Sequence, residues 1–110
     1  MHVAVEGYML YDWRVATARL GYVTPTGRFT IQWMARRHYS NEYTYWNRRK
    51  RERLPAPMND ALFFAAGTAI HAGSVHERSH GCVHLAPENA RKLYGIVQEF
   101  GESSTVVIVR

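Results

Sequence analysis

Ala69-Ile70-His71-Ala72-Gly73-Ser74-Val75-His76-Glu77-Arg78-Ser79-His80-Gly81-Cys82-Val83-His84-Leu85 is the stretch on which the reading of this chain turns. It holds the single cysteine and four of the six histidines of a 110-residue sequence. A thiol near its ordinary pKa is mostly protonated at neutral pH, and it becomes a strong nucleophile when an imidazole takes its proton. Four imidazoles lie within eleven residues of Cys82. Gly81 lets the backbone approach a substrate closely, and the N–H groups around Gly81 and Cys82 are candidates for holding a developing oxyanion. The chemistry these residue types support is acyl transfer through a thioester; the bland alternative is a cysteine acting as a small buried apolar residue.

The same residues carry a resemblance. Ser79-His80-Gly81-Cys82-Val83, preceded by Ala69-Ile70-His71, resembles the signature of the L,D-transpeptidase catalytic domain, the cysteine enzymes that remodel bacterial peptidoglycan. Gly21-Tyr22-Val23-Thr24-Pro25-Thr26-Gly27-Arg28-Phe29 resembles that family's turn ahead of the active site, and residues 58–67 (MNDALFFAAG) resemble the strand leading into its catalytic histidine. The similarity runs over residues 13–110, and three motifs in the right order make it more specific than the cysteine motif alone.

Carried over residue by residue, the resemblance implies Cys82 as nucleophile, His71 as general base and the carbonyl of Ala72 as the group that orients the imidazole. It implies that Ser79, His80 and Gly81 shape the pocket and the oxyanion hole. His84 shares a strand face with Cys82 and is expected to border the substrate, as is Tyr39 from a neighbouring loop. The family commonly has Arg or Asn where this chain has His84, and the 71–79 loop is shorter than in many relatives. The implied substrate is a peptidoglycan stem peptide, with no cofactor and no metal. The acceptor is an amine, giving a cross-link or an anchored protein, or else water, giving a carboxypeptidase or endopeptidase. A periplasmic or cell-envelope location, a monomeric state and acylation of the cysteine by carbapenems follow from the same resemblance.

Strand geometry separates the histidines. Side chains one apart on a strand point to opposite faces and those two apart run parallel, so His84 does not easily turn its ring onto Cys82. His71, arriving on a separate strand, faces the thiol across the roughly 4.8 Å between neighbouring strands. His80 then reads as a supporting donor, His76 as solvated beside Glu77 and Arg78, and His38, far upstream in the flap, as the least expected of these to reach the groove. A second reading assembles zinc from His71, His76, His80, Cys82 and His84. Their spacing fits no common zinc signature, and a metal-bound sulfur would be quenched as a nucleophile.

Length and a 46% apolar composition give one domain, 1–110, near the small end for a β architecture. A single cysteine forms no disulfide within the chain, so stability rests on packing. There is no run of 18 or more apolar residues, and the N-terminus lacks the basic, apolar and small-residue order of a secretion signal. The chain therefore reads as soluble, and an envelope location requires export by a signal outside it. The net charge of +5 owes much to Arg48-Arg49-Lys50-Arg51-Glu52-Arg53. With Tyr39, Tyr43, Tyr45 and Trp46 nearby, this could mark a noncatalytic module for wall polymer, membrane or nucleic acid, or simply a solvated loop. The reading adopted is no nucleic acid and no membrane span.

Along the chain, residues 2–6 and 8–18 read as strands around Gly7, with Trp13, Val15 and Thr17 on one face. Thr24-Pro25-Thr26-Gly27 is a turn signal, with residues 29–35 as the partner strand of a hairpin. Residues 36–57 are polar, basic and aromatic, and their two closing prolines discourage regular structure, so they read as an irregular flap over the groove. Residues 61–66 suit a buried strand. Residues 87–100 are predicted helical: Pro87 fits the first turn, Glu88 the positive end, and Ala90, Leu93, Tyr94, Val97 and Phe100 one apolar face, with Gly101 ending it and Ala86 a poor cap. Residues 105–109 should be a buried closing strand. The expected fold is mainly β: a compact β-sandwich or distorted barrel of mixed strands with one packed C-terminal helix.

Overall fold

Ala61–Ala65 (ALFFA) has apolar side chains on both faces, and a strand buried on both sides must lie at the centre of the molecule. In the computed structural model this strand, β7, occupies that position; the model describes all 110 residues apart from the side chains at 41 and 42. The other strands are β1 (His2–Val5), β2 (Tyr8–Asp12), β3 (Gly27–Thr30), β4 (Trp33–Ala35), β5 (Tyr39–Asn47), β6 (Glu52–Pro57), β8 (Thr68–Ala72), β9 (Val83–Leu85) and β10 (Val106–Val109), with one helix, α1 (Pro87–Phe100).

The central sheet runs β4-β7-β8-β9. Its first two pairings are antiparallel, and β8 and β9 are parallel with Ile70 opposite Val83, His71 opposite His84 and Ala72 opposite Leu85. The strand period of two sorts the side chains into two layers. Leu62, Phe64, Ile70, Val83 and Leu85 face α1, whose Ala90, Leu93, Tyr94 and Val97 complete the main core. Ala61, Phe63 and Ala69 face the other way and form a smaller cluster with Met58, against which Cys82 packs.

The helix has the bounds the apolar period predicts, and Ala86 makes no side-chain cap. Gly101 closes it with φ +96°, its N–H bonding to the Val97 carbonyl. Phe100, expected on the buried face, is 44% exposed, because it occupies the last helical position, beyond the core.

Four expectations are corrected. Residues 29–35 are not one strand of a hairpin: the chain breaks at Ile31, which is buried in the main core, and changes sheets. β3 pairs with the distant β10, and β4 pairs with β7. Residues 8–18 are a strand only as far as Asp12; beyond it two isolated bridges, Ala16 to His84 and Ala18 to Ser79, tie the chain to the central sheet. Trp13 and Val15 are partly buried against the main core. β10 is half-buried rather than buried, since its two-stranded sheet covers only one face: Val107 and Val109 meet the core while Val106 and Ile108 are exposed.

Residues 36–57 are not irregular. β5 and β6 form a long antiparallel hairpin with Tyr45 opposite Leu54 and Trp46 opposite Arg53. Neither strand pairs with a third, so Pro55 and Pro57 lie where a missing N–H breaks no second ladder. Nine residues of β5 span about 30 Å, which accounts for much of the 48 Å length of the molecule.

Candidate active site

The loop that carries Cys82 is fixed at both ends by residues 16–19. Ala16 and His84 exchange backbone hydrogen bonds, while Ser79 donates to the Thr17 carbonyl and accepts from the Arg19 N–H. Inside the loop, Ser79 is 3% exposed; its hydroxyl donates to the Cys82 carbonyl and accepts from the Gly81 N–H. Ser79 is thus a buried residue that ties the loop together from inside. The Gly81 N–H, expected among the oxyanion donors, is engaged by that hydroxyl.

Gly81 itself is required by the backbone. Its φ is +127°, and a Cβ there would come 3.0 Å from the Val23 carbonyl oxygen. The turn that supplies Val23 also supplies Thr24, whose hydroxyl donates to the Gly81 carbonyl at 2.8 Å and accepts from the Ala18 N–H at 3.2 Å. The early turn and the cysteine loop, 57 residues apart in sequence, are thus one packed unit.

His71 lies on β8 and is 6% exposed. Its Nδ1 is 2.8 Å from the Ala72 carbonyl. A carbonyl only accepts, so Nδ1 carries the hydrogen and Nε2 is left as the basic nitrogen of the neutral ring. Burial pushes its pKa down to about 4; the hydrogen bond to Ala72 opposes this, and His84 and His38 add small repulsions. The ring is uncharged at neutral pH.

Register brings the remaining groups to the same face. His84, directly opposite His71, meets it edge-on with ring centroids 4.7 Å apart, and its Nδ1 is bonded to the Ser74 carbonyl at 3.0 Å. The ring of His84 also lies against Gly73, where a Cβ would be 2.8 Å from Cγ. Cys82, two residues before His84, shares its face, and the Ala69 N–H reaches Cys82 Sγ at 3.5 Å. His71 therefore lies on β8, while Cys82 ends the loop one residue before β9, on the side of the sheet where it packs with Ala69.

The hairpin touches the cysteine loop at His80. Tyr43 stacks on His80 at 4.2 Å with the rings nearly parallel, and Tyr22 meets the edge of His80 at 4.7 Å. Partial burial, then the Arg19 guanidinium and His84, hold the His80 pKa below its usual value. Tyr39, expected to reach the substrate, is exposed opposite Pro57, and Tyr43 is the hairpin residue that touches the loop. Nothing in the sequence separates the two tyrosines, because the pairing shifts register between Tyr39 and Thr44. His38 packs on Phe63 and Trp33 and comes near enough to His71 to act on it electrostatically. His76 is exposed. Among the described residues no three His, Cys, Asp or Glu side chains converge on a metal position, so the zinc reading gains no support.

The family model of the YkuD L,D-transpeptidase catalytic domain matches residues 1–109. The chain belongs to this family. It is a family of enzymes, and among solved structures the likeness covers nearly the whole chain. An L,D-transpeptidase from Mycobacterium smegmatis matches with a TM-score of 0.77 and 21% identity over 99% of this chain and 52% of its own. An L,D-transpeptidase from Stackebrandtia nassauensis matches at 0.67 and 27% identity, over 99% and 49%. The catalytic domain of the Enterococcus faecium L,D-transpeptidase, solved acylated by ertapenem, matches at 0.64 and 20% identity, over 96% and 84%. This L,D-transpeptidase domain spans about half the length of the first two. No curated protein matches it.

Proposed function

We propose that the chain is a cysteine acyltransferase acting on peptidoglycan stem peptides in the cell envelope, with Cys82 as nucleophile and His71 as base. The observation that carries this reading is the geometry of His71: a buried ring whose Nδ1–H is committed to the Ala72 carbonyl, on the strand whose Ala69 packs against Cys82. Family membership and the ertapenem-acylated relative support the same chemistry.

Because burial disfavours the imidazolium, His71 rests as the neutral imidazole. Nε2 of His71 takes the thiol proton as Sγ attacks the carbonyl carbon of the stem peptide. An S–C bond forms, the carbonyl oxygen gains the electron pair, and collapse breaks the C–N bond to the terminal D-amino acid, whose amine leaves with the proton from His71. An acceptor amine then adds to the thioester, gives its proton to His71 and expels the thiolate. The product is a cross-link or an anchored protein; with water as acceptor it is a trimmed peptide. Ser79 acts by holding the loop, and the Tyr22, His80 and Tyr43 cluster flanks the approach to Cys82.

The test is incubation with defined muropeptides and mass analysis of the products. Loss of a terminal D-amino acid with formation of a joined product supports transpeptidation, and loss with hydrolysis alone supports the carboxypeptidase form. Unchanged substrate across donor peptides would contradict the proposal.

A further inference from the structure

The β5–β6 hairpin differs along its length. Its middle touches the cysteine loop through Tyr43, while its tip begins five residues, about 17 Å of strand, further on at Arg48. Arg48, Arg49, Lys50, Arg51 and Arg53 are all exposed there, against the single acid Glu52. Trp46 is 55% exposed and Tyr45 is 41% exposed. The turn is well formed: the Lys50 N–H donates to Asn47 Oδ1, and Arg51 adopts φ +52°. Arg53 donates to Thr44 Oγ1 diagonally across the strands.

We infer that this tip docks on an anionic lipid surface. Charge complementarity admits any polyanion, and the arrangement of the aromatics decides among them. Tyr45 and Trp46 are consecutive on a strand, so their rings lie on opposite faces of the ribbon. A single-stranded nucleic acid stacks successive bases along one face, and a wall polymer lying along the hairpin also meets one face. A turn pushed end-on into a headgroup layer is surrounded on every side, which uses aromatics on both faces and cations around the end. Tyr and Trp rings favour that interfacial depth, and each basic residue near an anionic surface adds attraction that fades within a Debye length. Docking at the tip leaves the Cys82 face free of the bilayer, so the inference does not depend on the acyl-transfer reading.

The experiment is co-sedimentation of the full chain with phosphatidylcholine vesicles, alone or with about a third phosphatidylglycerol, at low and high salt. Binding is expected to the mixed vesicles only, and to fall as salt rises. The Arg48→Gln, Arg49→Gln double variant should bind roughly 30-fold more weakly, at about fivefold per charge. Trp46→Ala should bind more weakly with its salt dependence retained. These positions are exposed, so an unchanged melting curve shows the variants to be folded. Equal binding to neutral vesicles, binding indifferent to these substitutions, or tighter binding to a single-stranded oligonucleotide at the same salt would overturn the inference.

Discussion

The proton acceptor proposed for this site is a buried imidazole that does not carry charge at rest. That distinguishes it from a thiolate–imidazolium pair, and the difference is measurable. The pH dependence of acylation under kcat/KM conditions should stay level from pH 7 to pH 5 and be half lost near pH 4, where His71 protonates. An acid limb near pH 6.5 would contradict this. Gly73 gives a second test at the same scale, since a Cβ added there meets only the His84 ring. In Gly73→Ala the new Cβ meets the His84 ring at 2.8 Å and must displace it from the edge of His71. Acylation should slow while the protein stays folded, at a stability cost of about 1–3 kcal/mol for an overpacked contact, read by urea denaturation. His71 and Cys82 stand out in the sequence because the single cysteine lies among four histidines, and the structure adds the Nδ1 bond of His71 to Ala72. The hydrogen bonds of Ser79 and Gly81 were not legible: which hydroxyl meets which amide depends on the path of a loop that no local pattern specifies.

Among the elements, the turn containing Thr24 matters more than its length suggests. One hydroxyl joins it to both Ala18 and Gly81, so Thr24→Val should leave a backbone carbonyl of the cysteine loop without its donor. The expected cost is about 1–3 kcal/mol, with acylation slowed more than substrate binding is weakened, read as kcat against KM. An unchanged acylation rate would show that the turn does not support the loop. Helix α1 was legible to the residue because Pro87, the apolar period and Gly101 all agree. The β5–β6 hairpin was missed for an equally physical reason. Two prolines argue against a strand in the middle of a sheet, but they carry no such penalty in a ribbon with open edges. The split of residues 29–35 between two sheets was hidden too, since it is set by where Ile31 and its neighbours find partners far along the chain.

At the level of the whole molecule, the mainly-β class and the single helix were legible, whereas the order of strands in four small sheets depends on contacts distant in sequence. Burial of a titratable ring at the centre also couples stability to pH. The unfolded chain protonates His71 at its ordinary pKa of 6.5, while the fold refuses the proton until about 4. Stability is therefore complete above pH 6.5, falls as pH drops through that window, and levels off for this group below it. The loss amounts to about 3 kcal/mol, a large part of the margin of a small domain. His71→Gln should show a shallower fall in urea midpoint between pH 7 and pH 4; a parallel fall would mean that this ring is not the cause. The central claim, that Cys82 carries the acyl group and His71 activates it, is tested most directly by intact-protein mass after incubation with ertapenem. The account predicts one covalent adduct mapping to Cys82, absent in Cys82→Ala and formed at least about 100-fold more slowly in His71→Gln. No adduct on the wild-type chain, an adduct that survives Cys82→Ala, or an undiminished rate in His71→Gln would contradict it.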